Sequence, residues 1–207
     1  MNALAPNLPI AQRLAPHALL IAMAVVAIVF TAVQPAFVSP DNLVGIVRQT
    51  AMIGIMAVMM TFVIMTGGID LSVGPVLALA GLVVVFTLDA GHGLPVALAA
   101  ALATGFAIGV VNGALIAFVA LPPIIVTLAM LSVVRGSALI YGGQELHSVR
   151  GHQAFSFIGN GTLFGLPFMV TLFAAVALLM IALQRLTPFG LLVAAIGENE
   201  RAAYLSG

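Results

Sequence analysis

The sequence of 207 residues has no cysteine and very few charges. Without cysteine, disulfide bonds and thiol chemistry are excluded. Charged residues make up 6% of the chain, against about 25% in an ordinary soluble domain, and 63% of the residues are hydrophobic. So few charges cannot cover a soluble protein of this size, and the same hydropathy excludes disorder. A net charge of zero, with no basic patch, argues against nucleic-acid binding, so the chain must use lipid as its solvent.

Long charge-free stretches predict the membrane spans, because a helix needs about 20 apolar residues to cross the hydrocarbon core. Two prolines, Pro122 and Pro123, divide the longest stretch, since each removes a helix hydrogen bond. We predict an all-α, polytopic transmembrane helix bundle with about six spans, at residues 17–34, 49–66, 71–88, 95–118, 123–141 and 166–184. Residues 1–16 are predicted to form an N-terminal tail, 17–184 the transmembrane domain, 185–207 a cytoplasmic segment, and 142–165 a polar loop within the domain.

The orientation follows from the arginines, which are the only cationic residues besides histidine. Six spans place both ends of the chain on one side, with Arg13, Arg185 and Arg201, and leave Arg48 and Arg150 on the other. The positive-inside rule then favours a cytoplasmic N-terminus. The first span is long and lacks a small-residue cleavage site, so it is predicted to be an uncleaved anchor.

The fourth span carries a row of small residues at every fourth position: Ala97, Ala101, Gly105, Gly109, Gly113 and Ala117. Small residues let helix backbones approach closely in lipid. The row drifts around the helix by about 40° per step, so at least two neighbours must meet it. We predict helix packing through Ala101, Gly105, Gly109 and Gly113, with solute passage along the row as the alternative. Asn112 is expected to bond to another helix or to contact a translocated solute.

Asp70 is an acid between two long uncharged runs, in a glycine-rich break. Gly67 and Gly68 suit the end of one helix, and Asp70 or Ser72 is predicted to cap the next by accepting from its free N–H groups. Pro75 would then lie in the first turn. Two interpretations stay open: a tight capped turn between spans, or a broken element that lines a solute pathway.

The segment after the last span is predicted to leave the membrane at Pro188 and Gly190. Asn199 suits the N-cap of a short helix beginning at Glu200, and Gly207 suits its end. This helix is either an amphipathic surface helix or a docking element for a soluble partner.

Catalytic and metal-binding patterns are missing from the sequence. None of the four histidines has a carboxylate or a second histidine at metal-ligand spacing on a common helix face, and there is no nucleophile–base pair and no phosphate-binding glycine–lysine motif. We predict no catalytic residue, no metal site and no cofactor bound by this chain.

Several ordered blocks resemble the inner-membrane permease subunits of bacterial ABC sugar importers, the ribose/xylose/arabinose-type group within the branched-chain-transporter-like permeases. The similar blocks are Thr66–Gly74, Val111–Ile116 followed by Pro122–Leu128, Arg135-Gly136 with Gly142-Gly143, Gly159-Asn160-Gly161 with Gly165-Leu166-Pro167, and Gly197–Gly207. The resemblance covers the chain from about residue 36 to its last residue, and the order and spacing of the blocks make it specific.

The resemblance implies a multi-pass subunit of the bacterial inner membrane that forms the passage for a monosaccharide with a second permease subunit. A periplasmic sugar-binding protein would deliver the sugar, and a cytoplasmic ABC ATPase would use ATP, so this chain would be no enzyme. The core or pathway residues implied are Gly67, Gly68, Asp70, Ser72, Gly74 and Asn112. The residues implied to couple to the ATPase are Gly197, Glu198, Asn199, Glu200, Arg201, Ala202, Ala203 and Gly207.

Family members continue through several more spans, whereas this chain stops at Gly207. We therefore expect an N-terminal portion, a truncated product or a partial sequence. One alternative function is a truncated, transport-incompetent membrane fragment or assembly partner. Another is a secondary transporter, for which Asp70 and Arg135 are the only candidate intramembrane charges.

Overall fold

The computed structural model describes residues 17–143 and 151–205. These residues form eight α-helices and one small hairpin, which confirms the predicted all-α class. The helices are α1 (Ala18–Val33), α2 (Pro40–Met65), α3 (Val73–Asp89), α4 (Leu94–Ala117), α5 (Pro123–Gly142), α6 (Gln153–Asn160), α7 (Phe168–Leu186) and α8 (Pro188–Leu205). A 3-10 turn, Pro35–Val38, separates α1 from α2, and the antiparallel strands β1 (Thr162–Leu163) and β2 (Leu166–Pro167) separate α6 from α7.

Each of the six predicted spans coincides with an apolar helix, α1 to α5 and α7. Four of them, α2, α4, α5 and α7, are long and apolar enough to cross a membrane, whereas α1 and α3 are shorter apolar helices of 16 and 17 residues. Helix α2 begins at Pro40 instead of residue 49, because the charged residues Asp41 and Arg48 are themselves helical. A charge near the end of a span therefore does not end the helix.

The chain divides into two compact units, Met1–Val47 and Arg48–Gly207. The described part of the first unit contains α1, the 3-10 turn and the start of α2, and the rings of Phe30 and Phe37 lie 5.7 Å apart there. The predicted tail, residues 1–16, lies outside the described residues. All the candidate site residues belong to the second unit.

Helix α3 is the centre of the second unit and packs against both α4 and α5. Its buried side chains Val84 and Leu88 form a core with Ala97 at the start of α4. At the same end, Phe86 meets Tyr141 of α5 edge to face, with ring centroids 4.8 Å apart. Other apolar side chains of these helices point outward, as expected of a surface that lies against lipid or further protein.

The segment 142–165 is more structured than a loop. Its described part contains α6 and the hairpin, whereas residues 144–150 lie outside the described residues. Phe155 of α6 packs against the core of α3 and α4, and Arg48 donates to the carbonyl oxygen of Asn160 at 3.0 Å. None of the residues of α6 is fully buried, so the partly buried ring of Phe155 and the bond from Arg48 are what hold this helix to the rest of the unit.

Candidate functional site

The glycine-rich turn begins where α2 ends, at Met65. Gly67 adopts a φ of +77°, which is the left-handed conformation that favours glycine, and its N–H donates to the carbonyl oxygen of Ile64 at 2.9 Å. The N–H of Gly68 donates to the carbonyl oxygen of Val63 at 3.0 Å. These bonds satisfy the last carbonyl groups of α2, so this helix ends as the sequence predicts.

Three polar side chains form a hydrogen-bonded relay from the turn to α4. Oδ1 of Asp70 accepts from the backbone N–H of Ser72 at 2.7 Å and from its hydroxyl at 2.6 Å. The hydroxyl oxygen of Ser72 in turn accepts from Nδ2 of Asn112 at 3.1 Å. Because the single hydroxyl proton goes to Asp70, the amide group of Asn112 must face Ser72 with its nitrogen. Ser72 is 1% exposed and Asn112 is 5% exposed, so the Ser72–Asn112 contact is fully enclosed.

The predicted capping of α3 is wrong. Ser72 occupies the N-cap position, but neither its side chain nor that of Asp70 accepts from a helix N–H group. The hydroxyl of Ser72 is committed to Asp70 and Asn112, and Ser72 itself has near-helical backbone angles, φ −84° and ψ −9°. Asp70 instead accepts a hydrogen bond from the backbone N–H of Ser72, two residues later in the chain, as in an Asx-turn. Pro75 does lie in the first turn of α3, as predicted.

Thr127 of α5 holds the turn from a second side. Its hydroxyl lies 2.9 Å from the carbonyl oxygen of Ile69 and also 2.9 Å from that of Pro123, one turn earlier in its own helix. Thr127 is 2% exposed. Thr127 was predicted only as part of a family block, although a threonine one turn into an apolar helix is a recognisable candidate for a bond between helices. The turn is therefore fixed by α4 and α5 together.

One buried acceptor in this region is unsatisfied. Oδ1 of Asn112 is enclosed by protein and accepts no hydrogen bond from the described residues. A buried polar atom without a partner costs about 1–3 kcal/mol. Such an atom in a native structure calls for a functional or solvent-related explanation.

An open cleft of about 790 Å³ lies beside the relay. Its walls are the end of α2, the glycine-rich turn, the end of α4, the loop that follows α4, the start of α5 and the second half of α8. The polar side chains of its wall are Thr66, Asp70, Asn112, Thr127 and Glu200. The structure thus brings the predicted pathway residues Gly67, Gly68, Asp70 and Asn112 together with Glu200 of the predicted coupling segment around one space.

The remaining predicted pathway residues lie away from the wall of the cleft. Ser72 is enclosed behind Asp70, within the relay. Gly74 lies in the first turn of α3, where an added Cβ would meet no atom within 4 Å.

The row of small residues on α4 divides into two halves. In the first half, Ala97 and Ala101 pack in the core with α3, and a Cβ added to Gly105 would lie 3.8 Å from Val76. In the second half, a Cβ on Gly109 or Gly113 would meet no atom within 4 Å. Gly109, Gly113 and Ala117 instead line the cleft.

The predicted coupling segment forms the second half of α8. Asn199 interrupts the helix with extended backbone angles, φ −162° and ψ 100°, and its Oδ1 accepts from the N–H of Ala202 at 3.0 Å. Asn199 is therefore the N-cap of a short helix that begins at Glu200, as predicted. Gly190 does not break the helix, because α8 begins at Pro188 and continues through Gly190. Gly207 lies outside the described residues.

Four of the predicted coupling residues line a second, smaller groove on α8. Its wall comprises Leu191, Leu192, Ala195, Glu198, Asn199, Ala202 and Ala203. Glu198, Arg201 and Ala202 are exposed. This groove is separate from the cleft, whose wall takes Ile196 and Glu200 from the same helix.

Gly197 connects the coupling segment to the glycine-rich turn. A Cβ added at this position would overlap the carbonyl oxygen of Met65, the last residue of α2. The backbone of α8 therefore lies directly on the end of α2, one residue before the turn begins. Gly197 was predicted as a coupling residue, but its close approach to α2 was not, although a glycine inside a helix can indicate such an approach.

The described residues contain no group of three histidine, aspartate or glutamate side chains that could hold a metal ion. Arg135, the other charge predicted to lie within the membrane, is exposed on the surface of α5 and bonds to none of the described residues. It lies outside the wall of the cleft, so Asp70 and Arg135 do not share a site.

Comparison with known proteins identifies the family. The family described as the permease component of the branched-chain amino acid transport system matches residues 42–207. The chain belongs to this family. It is a multi-pass membrane protein, and the resemblance to sugar-importer permeases of the ribose type is confirmed by its relatives. No solved structure gives a significant match.

Three relatives illustrate the similarity. The ribose import permease protein of Bacillus subtilis is 36% identical over 198 residues, which cover 95% of this chain and 60% of that protein. The fructose import permease protein of Bifidobacterium longum is 37% identical over 168 residues, which cover 80% of this chain and 47% of that protein. The L-arabinose ABC transporter permease protein of Azospirillum brasilense is 35% identical over 173 residues, which cover 84% of this chain and 51% of that protein. The chain thus spans about half to three fifths of the length of these relatives.

Proposed function

We propose that this chain acts as a permease subunit of an ATP-binding-cassette importer that moves a monosaccharide across the bacterial inner membrane. One observation carries the proposal: the coupling segment and the Asp70 relay are two walls of the same cleft. A subunit that couples ATP hydrolysis to solute movement needs such a connection between its partner-binding element and its pathway. The names of the relatives, which specify ribose, fructose and arabinose, support a sugar as the solute.

The proposed orientation places the N-terminus in the cytoplasm, so that the end of α2, the end of α4 and the start of α5 lie at the cytoplasmic side. Because Gly197 contacts the end of α2, the coupling segment lies at this side as well. The cleft would then be the cytoplasmic part of the passage, formed with a second permease subunit. A periplasmic sugar-binding protein would supply the solute at the opposite side.

The coupling segment would transmit force from a cytoplasmic ABC ATPase, which binds the ATP, so that this chain needs no cofactor. Glu198, Arg201 and Ala202 are exposed for such a contact. A short helix gripped by a soluble domain moves as a rigid element. Its displacement would reach Met65 through Gly197 and change the width of the cleft that Asp70 and Glu200 share.

The experiment uses single cysteines, since the chain has none of its own. The chain is co-expressed with an ABC ATPase and a periplasmic sugar-binding protein of the ribose-import type, and ATP-driven uptake of labelled D-ribose, L-arabinose and D-fructose is measured. Ala202→Cys should crosslink to the ATPase. Phe164→Cys, on the exposed hairpin turn, is the matched control, and it should react with an impermeant maleimide from the periplasm without reaching the ATPase.

Each alternative function predicts a different result. A secondary transporter would take up sugar without the ATPase and without ATP. A transport-incompetent assembly partner would give the Ala202→Cys crosslink but no uptake of any of the three sugars. Sugar uptake by a complex in which Ala202→Cys never crosslinks to the ATPase would contradict the proposed coupling role of this segment.

A further inference from the structure

Arg48, near the start of α2, holds the end of α6. Its Nη2 donates to the carbonyl oxygen of Asn160 at 3.0 Å, and its Nη1 lies 3.4 Å from Oδ1 of the same residue. Asn160 is the last residue of α6, so the positive charge meets the negative end of the helix dipole. Nε of Arg48 is enclosed by protein, and no acidic side chain among the described residues pairs with this arginine. Its hydrogen bonds to described residues therefore all go to Asn160.

The hairpin that follows Asn160 is linked by its backbone to the helices on both sides. The N–H of Gly161 donates to the carbonyl oxygen of Phe157 in α6 at 2.7 Å. The carbonyl oxygen of Gly161 accepts from the N–H of Phe168, the first residue of α7, at 2.9 Å. Residues 153–167, here called the α6–hairpin segment, are thus joined to α7 through the backbone and to α2 through Arg48.

The turn of the hairpin carries an exposed ring on a strained backbone. Phe164 and Gly165 have φ values of +54° and +78°, the pattern of a two-residue turn with positive φ at both positions. Asparagine, aspartate and glycine are favoured in such turns, whereas a bulky residue in this region is an outlier. The side chain of Phe164 is 88% exposed, so packing within the chain does not offset the strain. Strained residues of this kind cluster at functional sites.

Helix α2 connects Arg48 to the coupling segment. It runs without a proline from Arg48 to Met65, about 26 Å further along the helix axis. A Cβ added to Gly54 would lie 2.8 Å from the ring of Phe173, so α2 and α7 are in close contact between these two ends. At the far end, the carbonyl oxygen of Met65 lies directly against Gly197. One unbroken helix therefore contacts the α6–hairpin segment at one end and the coupling segment at the other.

We infer that Arg48 is a positioning residue that transmits the docking of a periplasmic sugar-binding protein on the Phe164 turn, through α2, to the coupling segment. The inference rests on the proposed function and adds the residues through which a periplasmic partner would regulate the ATPase. A partner that displaces the turn must either break the bonds from Arg48 to Asn160 or move α2 with them. Hydrogen bonds from a charged donor are stronger than neutral ones, and partial burial strengthens them further, so α2 moves.

The position and composition of the turn favour a protein partner. In the proposed orientation α2 and α7 cross the membrane, so the turn lies on the side at which the sugar-binding protein would arrive. Leu163, Phe164 and Leu166 form an exposed apolar tip, and the polar residues Asn160 and Thr162 beside it in the chain are exposed as well. An apolar centre with a polar rim is the composition of a protein–protein interface.

ATP hydrolysis by the assembled importer in lipid nanodiscs tests the inference, with and without the sugar-loaded binding protein. Arg48→Met removes both bonds to Asn160 and keeps a long side chain. It should leave the rate without binding protein unchanged and reduce the stimulation by binding protein about fivefold or more. Arg48→Lys keeps the charge and one bond, so it should restore part of the stimulation. Arg135→Met is the matched control and should change neither rate, since Arg135 is exposed and bonds to none of the described residues.

Phe164→Asn tests the turn itself. Asparagine tolerates positive φ, so this variant should fold at least as well as the original chain. It should raise the concentration of binding protein required for half-maximal stimulation about fivefold or more, because it removes an aromatic anchor. Arg48→Met should instead lower the maximal stimulation at an unchanged half-maximal concentration. If Phe164→Asn leaves the half-maximal concentration unchanged, as a ring placed in the membrane would, the assignment of the turn to the binding protein is overturned.

A fluorophore on Ala202→Cys gives a readout that does not depend on ATP hydrolysis. In the assembled complex without ATP, its emission should change when the binding protein is added to the chain with Arg48, and not when it is added to Arg48→Met. The same response in both chains would overturn the inference, and so would the absence of a response in the chain with Arg48. Loss of basal and stimulated hydrolysis by the same factor in Arg48→Met and Arg48→Lys would reduce Arg48 to a residue that only stabilises the fold.

Sugar uptake by the same complex keeps the two proposals distinguishable. Normal uptake and normal stimulation in Arg48→Met would overturn the transmission through Arg48 and leave the importer function intact. A complex of the original chain that shows no uptake would count against the importer function. The response at Ala202→Cys would then still decide the inference, since it requires only the docking of the binding protein.

Discussion

The carbonyl oxygen of Met65 occupies the space where a side chain of residue 197 would begin, so Gly197 lies directly on the end of α2. This contact joins the last helix of the chain to the turn that carries Asp70. A flexible side chain could rotate away from an added methyl group, but a backbone oxygen at the end of a packed helix cannot. The contact is therefore rigid, and its geometry depends on glycine at this position.

Gly197→Ala should displace the coupling segment from α2. Overpacking of this kind costs about 1–3 kcal/mol, so we expect a lower thermal unfolding temperature in detergent. In the assembled importer, uptake per ATP hydrolysed should fall further than ATP hydrolysis itself. Gly136→Ala is the control, since a Cβ there would meet no atom within 4 Å, and it should lower neither the unfolding temperature nor the uptake per ATP. Normal uptake per ATP in Gly197→Ala would show that coupling does not use this contact.

The Ser72–Asn112 bond predicts an interaction energy between two residues 40 positions apart. Hydrogen bonds between membrane helices contribute about 0.6 kcal/mol on average and up to about 1.7 kcal/mol. Ser72→Ala and Asn112→Ala should each reduce the free energy of unfolding. The double variant should lose less free energy of unfolding than the two single variants lose together, and the difference should fall in this range. Ser132→Ala is the control, because it removes only a bond within α5. Its loss in free energy of unfolding should add to that of Asn112→Ala. Strict additivity of the first pair would contradict the relay.

Gly67 and Gly74 lie in the same motif but differ in backbone conformation. Gly67 has a φ of +77°, whereas Gly74 is helical and has open space around it. Gly67→Ala should lower the free energy of unfolding by about 1–2 kcal/mol, because an alanine is strained in the left-handed region. Gly74→Ala should be neutral or stabilising by up to about 1 kcal/mol, since alanine favours a helix. Denaturant unfolding of the two variants compares them directly, and a reversed order would contradict the geometry of the turn.

Asn199 should stabilise the short helix from Glu200 to Leu205 through its bond to Ala202. Loss of an N-cap costs about 1 kcal/mol, so Asn199→Ala should raise amide hydrogen exchange in this helix about fivefold. Asn199→Asp keeps the acceptor oxygen and should preserve protection. If both variants exchange equally fast, the bond does not hold the helix.

The spans were predictable because each depends on composition along a continuous stretch. All six appear as apolar helices, and the largest error, at the start of α2, came from treating Arg48 as a boundary. Asn199 was predictable for the same reason, since an N-cap bonds to an N–H group only three residues on. Local rules suffice where the partner lies within one helical turn.

The capping of α3 was not predictable from the same rules. Ser72 has the right identity and position for an N-cap, but its hydroxyl bonds to Asn112 on another helix. A contact between distant positions competes with the local one, and only the packing of α3 on α4 brings the two side chains together. The same packing decides which small residues of α4 meet α3 and which face the cleft.

The sequence by itself determined that this chain lies in a membrane, how many apolar helices it has, where the glycine-rich break falls and which family it resembles. These properties follow from hydropathy, from the conformational limits of glycine and proline, and from ordered local motifs. Only the tertiary structure decided that Asp70 and Glu200 line one cleft, and that Gly197 lies on Met65. The physical reason is that such contacts form between helices packed side by side. The residues that meet are far apart in the sequence, so no local pattern indicates them.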